Sequence, residues 1–127
     1  MAIVGHGIDL TEVARIEAML AEHGERFLDR CFTPREVADA GDGPRRVEHL
    51  AARFAAKEAA LKALGTGWAQ GVGWTDVAVE REASGAPRLV VTGVAARIAA
   101  ERAIARWHVS LTHTRDHAVA SVIAEGV

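Results

Sequence analysis

The 127-residue chain is predicted to form an α+β domain on a mostly antiparallel sheet, for three reasons. Strand-like and helix-like segments alternate irregularly, without the strand–helix repeat of a parallel sheet. Two pairs of strand-like segments flank short connections, Ser84-Gly85-Ala86-Pro87 and Thr114-Arg115-Asp116, as antiparallel neighbours do. Ahead of both pairs, Leu50 to Leu64 has helical spacing with no broad solvated face.

Ile3 to Leu10 reads as the opening strand. Period-two alternation puts Val4, His6 and Ile8 on one face and Gly5, Gly7 and Asp9 on the other. The two glycines leave that second face bare beside a carboxylate, which suits a close helix contact, a ligand, or both. A helix follows from about Thr11 to Glu22, with Val13, Ile16, Leu20 and Met19 inward, Arg15 outward and Gly24 closing it. Thr33, Pro34 and Glu36 start another helix with a capping hydroxyl, a proline at the first position and a carboxylate three residues on. Ala40 to Pro44 is a loop, and the long helix spans about Val47 to Leu64 until Gly65-Thr66-Gly67 stops it. Asp76–Arg81 and Arg88–Thr92 form a hairpin, Val94–Ala105 an alanine-rich helix, and Trp107–Thr112 and Ala118–Ala124 the last strands. With no internal repeat or linker, residues 1–127 are expected to form a single domain.

On a helical wheel of about 100° per residue, Leu50, Phe54, Leu61 and Leu64 make a large apolar stripe, and Ala52, Ala55, Ala56, Ala59 and Ala63 a small-residue stripe opposite. Glu58 and Lys62 occupy one seam, Arg53 lies near the other, and Lys57 falls inside the large stripe. Charges so placed are rarely buried unless paired or ligand-bound, which points to an anionic or metal-bound partner. Glu58 and Lys62 are also spaced i,i+4 in the favourable order for a simple surface ion pair.

Composition narrows the function. No apolar run approaches the roughly 18 residues of a membrane span, and the N-terminus lacks a signal-peptide pattern. Cys31 is the only cysteine. It excludes an internal disulfide, fits a reducing cytoplasm and reads as a small buried hydrophobe. A net charge of −2 argues against general nucleic-acid binding. Arg15, Arg26, Arg30, Arg35, Arg45 and Arg46 cluster early in the chain, either as a patch for an acidic partner or as a solvated face.

Asp9 at a strand end and Glu58 in mid-helix are two semi-buried carboxylates, a pair suited to Mg²⁺ completed by water and substrate phosphates. A closed zinc site is not expected, because Cys31 is alone and the six histidines lack ligand spacing. In Trp107 to Thr114, Val109 and Leu111 point one way and His108, Ser110 and Thr112 the other. Hydroxyls with a terminal histidine make donors for phosphate oxygens, unless the face is merely a polar surface. No Gly-x-Ser-x-Gly elbow surrounds Ser110, so a Ser–His hydrolase is not indicated.

Gly5-His6-Gly7-Ile8-Asp9, then Arg53-Phe54-Ala55-Ala56-Lys57-Glu58-Ala59 followed by Lys62, then His108-Val109-Ser110-Leu111-Thr112-His113 occur in that order. Together, across nearly the whole chain, they resemble the holo-acyl-carrier-protein synthases, the short bacterial phosphopantetheinyl transferases. The resemblance implies a phosphopantetheinyl transferase-like fold, with an antiparallel sheet against a long central helix, and a homotrimer with active sites between subunits. It implies Mg²⁺-dependent transfer of phosphopantetheine from coenzyme A to a serine of an acyl carrier protein, in fatty acid or polyketide synthesis. Asp9 and Glu58 match the family's metal ligands, and Lys62 its phosphate-neutralising lysine. Glu58, directly or through a bound water, is the candidate base, and Arg53, Ser110, Thr112 and His113 are candidate coenzyme A contacts. Gly65 and Thr66 after the long helix, with Gly85 and Pro87 in the turn, resemble nucleotide contacts, and Arg15 matches the arginine that docks the carrier.

His6 stands where the family usually has an apolar residue, and Leu64 where an aromatic is common. Neither touches the expected metal ligands. A non-catalytic module that binds coenzyme A or a carrier protein is the rival, and it would not need Glu58 or Lys62. The broad-specificity transferase type would need about twice this length.

Overall fold

Two glycines in the first strand let a helix lie against the sheet at backbone distance. The computed structural model describes residues 2–127. In chain order its elements are β1 (Ile3–Glu12), α1 (Val13–His23), α2 (Glu25–Cys31), α3 (Pro34–Ala40), α4 (Arg46–Leu64), a 3₁₀ turn (Trp74–Asp76), β2 (Val77–Arg81), β3 (Pro87–Val91), α5 (Gly93–Glu101), β4 (Ile104–His113) and β5 (His117–Gly126). Strands β1, β5 and β4 form an antiparallel sheet in that order. The hairpin β2–β3 is a separate two-stranded sheet, so the antiparallel strands divide in two.

The 19 residues of α4 pack on the three-stranded sheet through small side chains. A Cβ on Gly5 would lie 1.9 Å from the Ala63 carbonyl oxygen, and one on Gly7 1.8 Å from that of Ala59. Only glycine admits this approach. Helix backbone therefore fills the bare strand face. On β5, Ala118, Ala120, Val122 and Ala124 are all 0 % exposed, and the last three join the alanines of α4 in one apolar cluster. A second cluster of α1, α2 and the first half of α4 contains Ile16, Phe27, Leu28, Phe32, Leu50 and Phe54.

Two helix boundaries and one whole helix differ from expectation for local reasons. Thr11 and Glu12 stay in β1, paired across from Ala118 and His117, so α1 starts at Val13. Helix α5 stops at Glu101 because Ala103 takes φ 57° and Ile104 joins β4 opposite Gly126. Helix α2 was not expected; its seven residues are too few to show a helical period. The start of α3 follows its sequence signal. The Glu36 N–H donates to Thr33 Oγ1 (3.1 Å) and the Thr33 N–H to Glu36 Oε1 (3.0 Å).

Candidate functional site

From Leu50 to Leu64, Glu58 and Lys62 are the two residues not buried. They do not pair with each other. Lys62 Nζ turns to β1, donating to the Ile8 carbonyl at 2.8 Å and to Asp9 Oδ1 at 3.3 Å. The Thr11 hydroxyl donates to Asp9 Oδ2 at 2.9 Å. Glu58 Oε2 accepts the indole N–H of Trp68 at 3.3 Å. The i,i+4 surface pair of the sequence reading is thus replaced by a seam in which β1 supplies the acid to Lys62.

Two carboxylates, one from β1 and one from α4, border this seam. Among the described residues no group of three or more His, Cys, Asp or Glu side chains converges. Such a donor set is too small for a closed cage. It suits a hard cation that keeps waters and substrate oxygens among its ligands, as Mg²⁺ does.

Another part of the expected set surrounds a cavity of about 220 Å³, where Arg53, Gly85, Pro87 and His113 meet His49 and Arg81. Gly85 takes φ 91° in the β2–β3 turn, a conformation that favours glycine. Arg53, 4 % exposed, donates through Nη1 to the His49 carbonyl at 3.1 Å, and its buried Nε has no partner among the described residues. Burial, with the positive charge of Arg81 adding to it, pushes the Arg53 guanidinium below its ordinary range. An anion in the cavity would relieve both. His113 Nδ1 lies 3.0 Å from Glu48 Oε1. The carboxylate accepts, so Nδ1 carries the proton.

The third motif is split by strand parity. His113 shares the inward side with Val109 and Leu111, whereas Ser110 and Thr112 are exposed on the other face. Within one chain they do not form a single strip with His113, because residues an odd number apart on a strand face opposite ways. Gly65 ends α4 in the left-handed conformation, and the Thr66 N–H donates to the Leu61 carbonyl at 3.3 Å. Neither residue borders the cavity around Arg53.

Arg15, Arg26 and Arg30 rim a third feature, a groove of about 390 Å³ floored by Met19, Phe27 and Phe54. The Arg15 guanidinium sits 5.3 Å from the Phe54 ring centre. Arg35 pairs with Asp39 and Glu80, so the early arginines do not form one patch. Cys31 is buried against the groove, and burial pushes its thiol up.

The sequence reading took the buried charges of α4 to imply a ligand, and for Lys57 this is corrected. Lys57 Nζ donates to Glu36 Oε1 at 2.6 Å, to the Trp74 carbonyl at 3.1 Å and to the Val77 carbonyl at 2.5 Å. Its partner comes from within the chain. Glu48, His49, Trp68 and Arg81 were not singled out from sequence. His49 carried a signal, lying four residues before Arg53 on the same helix face, whereas Glu48, five before it, carried none. Trp68, on an irregular loop, carried none.

Residues 5–122 match the model of the 4′-phosphopantetheinyl transferase superfamily. The chain is similar to a holo-[acyl-carrier-protein] synthase of Koribacter versatilis, 49% identical over 97% of this chain and 98% of the relative. A synthase of the same name from Anaeromyxobacter dehalogenans is 51% identical over 98% and 97%. Among solved structures, a holo-[acyl-carrier-protein] synthase from Neisseria meningitidis superposes with a TM-score of 0.86 at 34% identity, covering 97% of this chain and 98% of that one. A holo-(acyl-carrier-protein) synthase from Bacillus anthracis in complex with CoA (3′,5′-ADP) gives 0.81 at 36% identity, with both chains fully covered.

Proposed function

The chain belongs to the 4′-phosphopantetheinyl transferase superfamily, and on that premise we propose that it is a holo-acyl-carrier-protein synthase. It moves the 4′-phosphopantetheine arm of coenzyme A to a serine of an acyl carrier protein and leaves adenosine 3′,5′-bisphosphate. The observation that carries the reading is the seam of Asp9, Glu58 and Lys62, the opening in the otherwise buried Leu50–Leu64 stretch of α4.

Asp9 and Glu58 hold Mg²⁺, which supplies charge neutralisation at the diphosphate. The chain's own residues do the rest. Lys62 adds a cation at the phosphates, anchored by Asp9 and the Ile8 carbonyl. Glu58 takes the proton of the incoming serine hydroxyl as its oxygen bonds to the pantetheine-side phosphorus. The bond from that phosphorus to the oxygen bridging to the nucleotide breaks. Arg53 and His113, with Gly85 and Pro87 at the cavity rim, hold the nucleotide end, and Gly65 and Thr66 border the same ligand. Arg15 in the basic groove docks the acidic carrier, with the apolar floor taking a side chain from it.

The same geometry supports a homotrimer with shared sites. Arg53 and Glu58 are five residues apart on one helix, so they are turned about 140° from each other. One coenzyme A reaching both features is best held between two copies, by the seam of one and the cavity of the next. Two different patches meeting head to tail close into a ring. Ile8 and Leu10, 56% and 63% exposed on the outer sheet face, supply apolar surface for it. Ser110 and Thr112 share that face and meet coenzyme A from a neighbouring copy. Residues 1–127 act as one domain, in the cytoplasm, serving fatty acid or polyketide carriers.

The test is to incubate the protein with an apo acyl carrier protein, coenzyme A and Mg²⁺ and to weigh the carrier. A carrier heavier by one phosphopantetheine arm, at a rate that falls when Mg²⁺ is chelated, is the expected result. Binding of both partners without a mass change overturns the reading in favour of a non-catalytic module. Native mass spectrometry at micromolar concentration should give three chains per particle.

A further inference from the structure

At the end of α4 the chain turns through positive φ at Gly65 (85°) and Gly67 (57°). This path folds the loop back along the helix it has just left. Trp68 therefore meets Glu58, ten positions earlier, and gives its indole N–H to Oε2 at 3.3 Å. The indole is fixed from its other side. Its ring centre lies 3.7 Å from that of Trp74, which stacks on Phe54 at 4.9 Å.

Glu58 needs this contact. Lys62, one turn on, is committed to Asp9 and the Ile8 carbonyl, so it does not hold the Glu58 carboxylate. Among the described residues, Trp68 is the one side chain that hydrogen-bonds Glu58. An indole N–H is a donor only, so it engages Oε2 and leaves Oε1 free to act. A glutamate has three side-chain torsions to lose, and a carboxylate that works in line with a diphosphate has to be placed closely.

We propose that Trp68 is a positioning residue for Glu58, holding one carboxylate oxygen so that the other is presented to the metal and the incoming hydroxyl. This rests on the reading of Glu58 given above, and it goes further in assigning the loop after α4 a part in the reaction. The packing of Trp68 on Trp74, which is itself stacked on Phe54, makes that loop a rigid prop.

Trp68→Phe separates the two duties of the side chain, because it keeps the ring against Trp74 and removes the N–H. With coenzyme A saturating and no carrier present, calorimetric titration with MgCl₂ should show Mg²⁺ binding weakened roughly fivefold to tenfold. That range is what loss of one ordinary hydrogen bond gives, the contact being long at 3.3 Å. In turnover, kcat should fall by a similar factor, with the KM for carrier protein within twofold and the melting temperature within a few degrees. Trp68→Leu, which loses ring and donor together, should show the same losses plus a lower melting temperature. If Trp68→Phe keeps Mg²⁺ affinity and kcat within twofold while Trp68→Leu is impaired, the residue only packs and the proposal is overturned. Glu58→Gln in the same assays separates the two ideas. A dead Glu58→Gln beside an unaffected Trp68→Phe removes the role of Trp68 alone, whereas a fully active Glu58→Gln removes the reading of Glu58 and this inference with it.

Discussion

Replacing Glu36 by glutamine keeps the shape of the core and removes the counter-charge of a fully buried ammonium. Lys57 and Glu36 are both 0 % exposed, and Glu36 also accepts the Val79 N–H at 3.0 Å. Breaking one partner of such a pair costs about 3–5 kcal/mol. A second route sets a ceiling. Lys57 can fold neutral, and releasing a proton from a lysine of pKa about 10.4 at pH 7 costs about 4.6 kcal/mol. Burial already pushes the Lys57 ammonium below its ordinary value, with the charge of Glu36 opposing. In Glu36→Gln that opposition is gone, and the folded chain gives up the proton at a lower pH than the unfolded one. Raising the pH then favours the folded state, and by pH 9 the ceiling has dropped to about 1.9 kcal/mol. For 127 residues the unfolding entropy is about 270 cal/mol/K, so a loss of about 4 kcal/mol lowers the melting temperature by about 15 °C. Circular dichroism melts of wild type and variant at pH 7 and pH 9, at one protein concentration, read both quantities. A drop of under about 4 °C at pH 7, or a gap that does not narrow at pH 9, would refute the view that this pair is a desolvated charge couple.

Gly7→Ala places a methyl 1.8 Å from the Ala59 carbonyl oxygen. It should cost roughly 1–3 kcal/mol in urea denaturation and lower the transfer rate by shifting Asp9 from Lys62; an unmoved midpoint contradicts the close contact. Burial raises the Asp39 carboxyl, but the Arg81 N–H and the Arg35 side chain more than offset this and hold it below its ordinary value. Its contribution to stability is present above about pH 4 and disappears as the pH falls through the lowered value. Asp39→Asn and wild type should therefore differ in melting temperature at pH 6 and draw together as the pH is taken progressively below about 4, and a gap that does not shrink in acid counts against the contact. Arg15→Glu reverses charge at the basic groove and should raise the KM for carrier protein about tenfold while sparing that for coenzyme A. Equal damage to both would remove Arg15 from docking.

Where the signal in the sequence is local, it carries through to the structure. Thr33 and Glu36 announce a helix start three residues apart and form the capping box. Gly5 and Gly7 announce a close approach, and the α4 backbone fills it. Where the deciding partner is remote, the sequence is silent. Glu36 reads as a capping residue, yet the same carboxylate neutralises Lys57 from 21 positions away, and no local pattern links the two. The third motif reads as one run of donors, but alternation along β4 sends His113 inward and Ser110 and Thr112 outward. The cavity around Arg53 needs the β2–β3 turn beside the end of β4, a tertiary fact that no periodicity encodes. Trp68 reaches Glu58 through the positive-φ turns at Gly65 and Gly67 that lie between them.

Lys57 and Glu58 are neighbours in sequence and opposites in environment, which shows how closely stability and the site are joined. One step along a helix turns it by about 100°. That step carries the chain from an ammonium sealed against Glu36 to a carboxylate open at the seam. Rotation of α4 by one residue would draw Glu58 into the core without a cation and expose Lys57. An unpaired buried carboxylate costs several kcal/mol, a large share of a typical domain's 5–15 kcal/mol. Glycine contacts from β1 block the same rotation from the other side, since it would set Glu58 and Lys62 against Gly7 and Gly5 in place of the Ala59 and Ala63 backbone. The rotational register of α4 is therefore held by the ion pair and the glycines together. Asp9 and Lys62 then meet because the helix has no other way to sit.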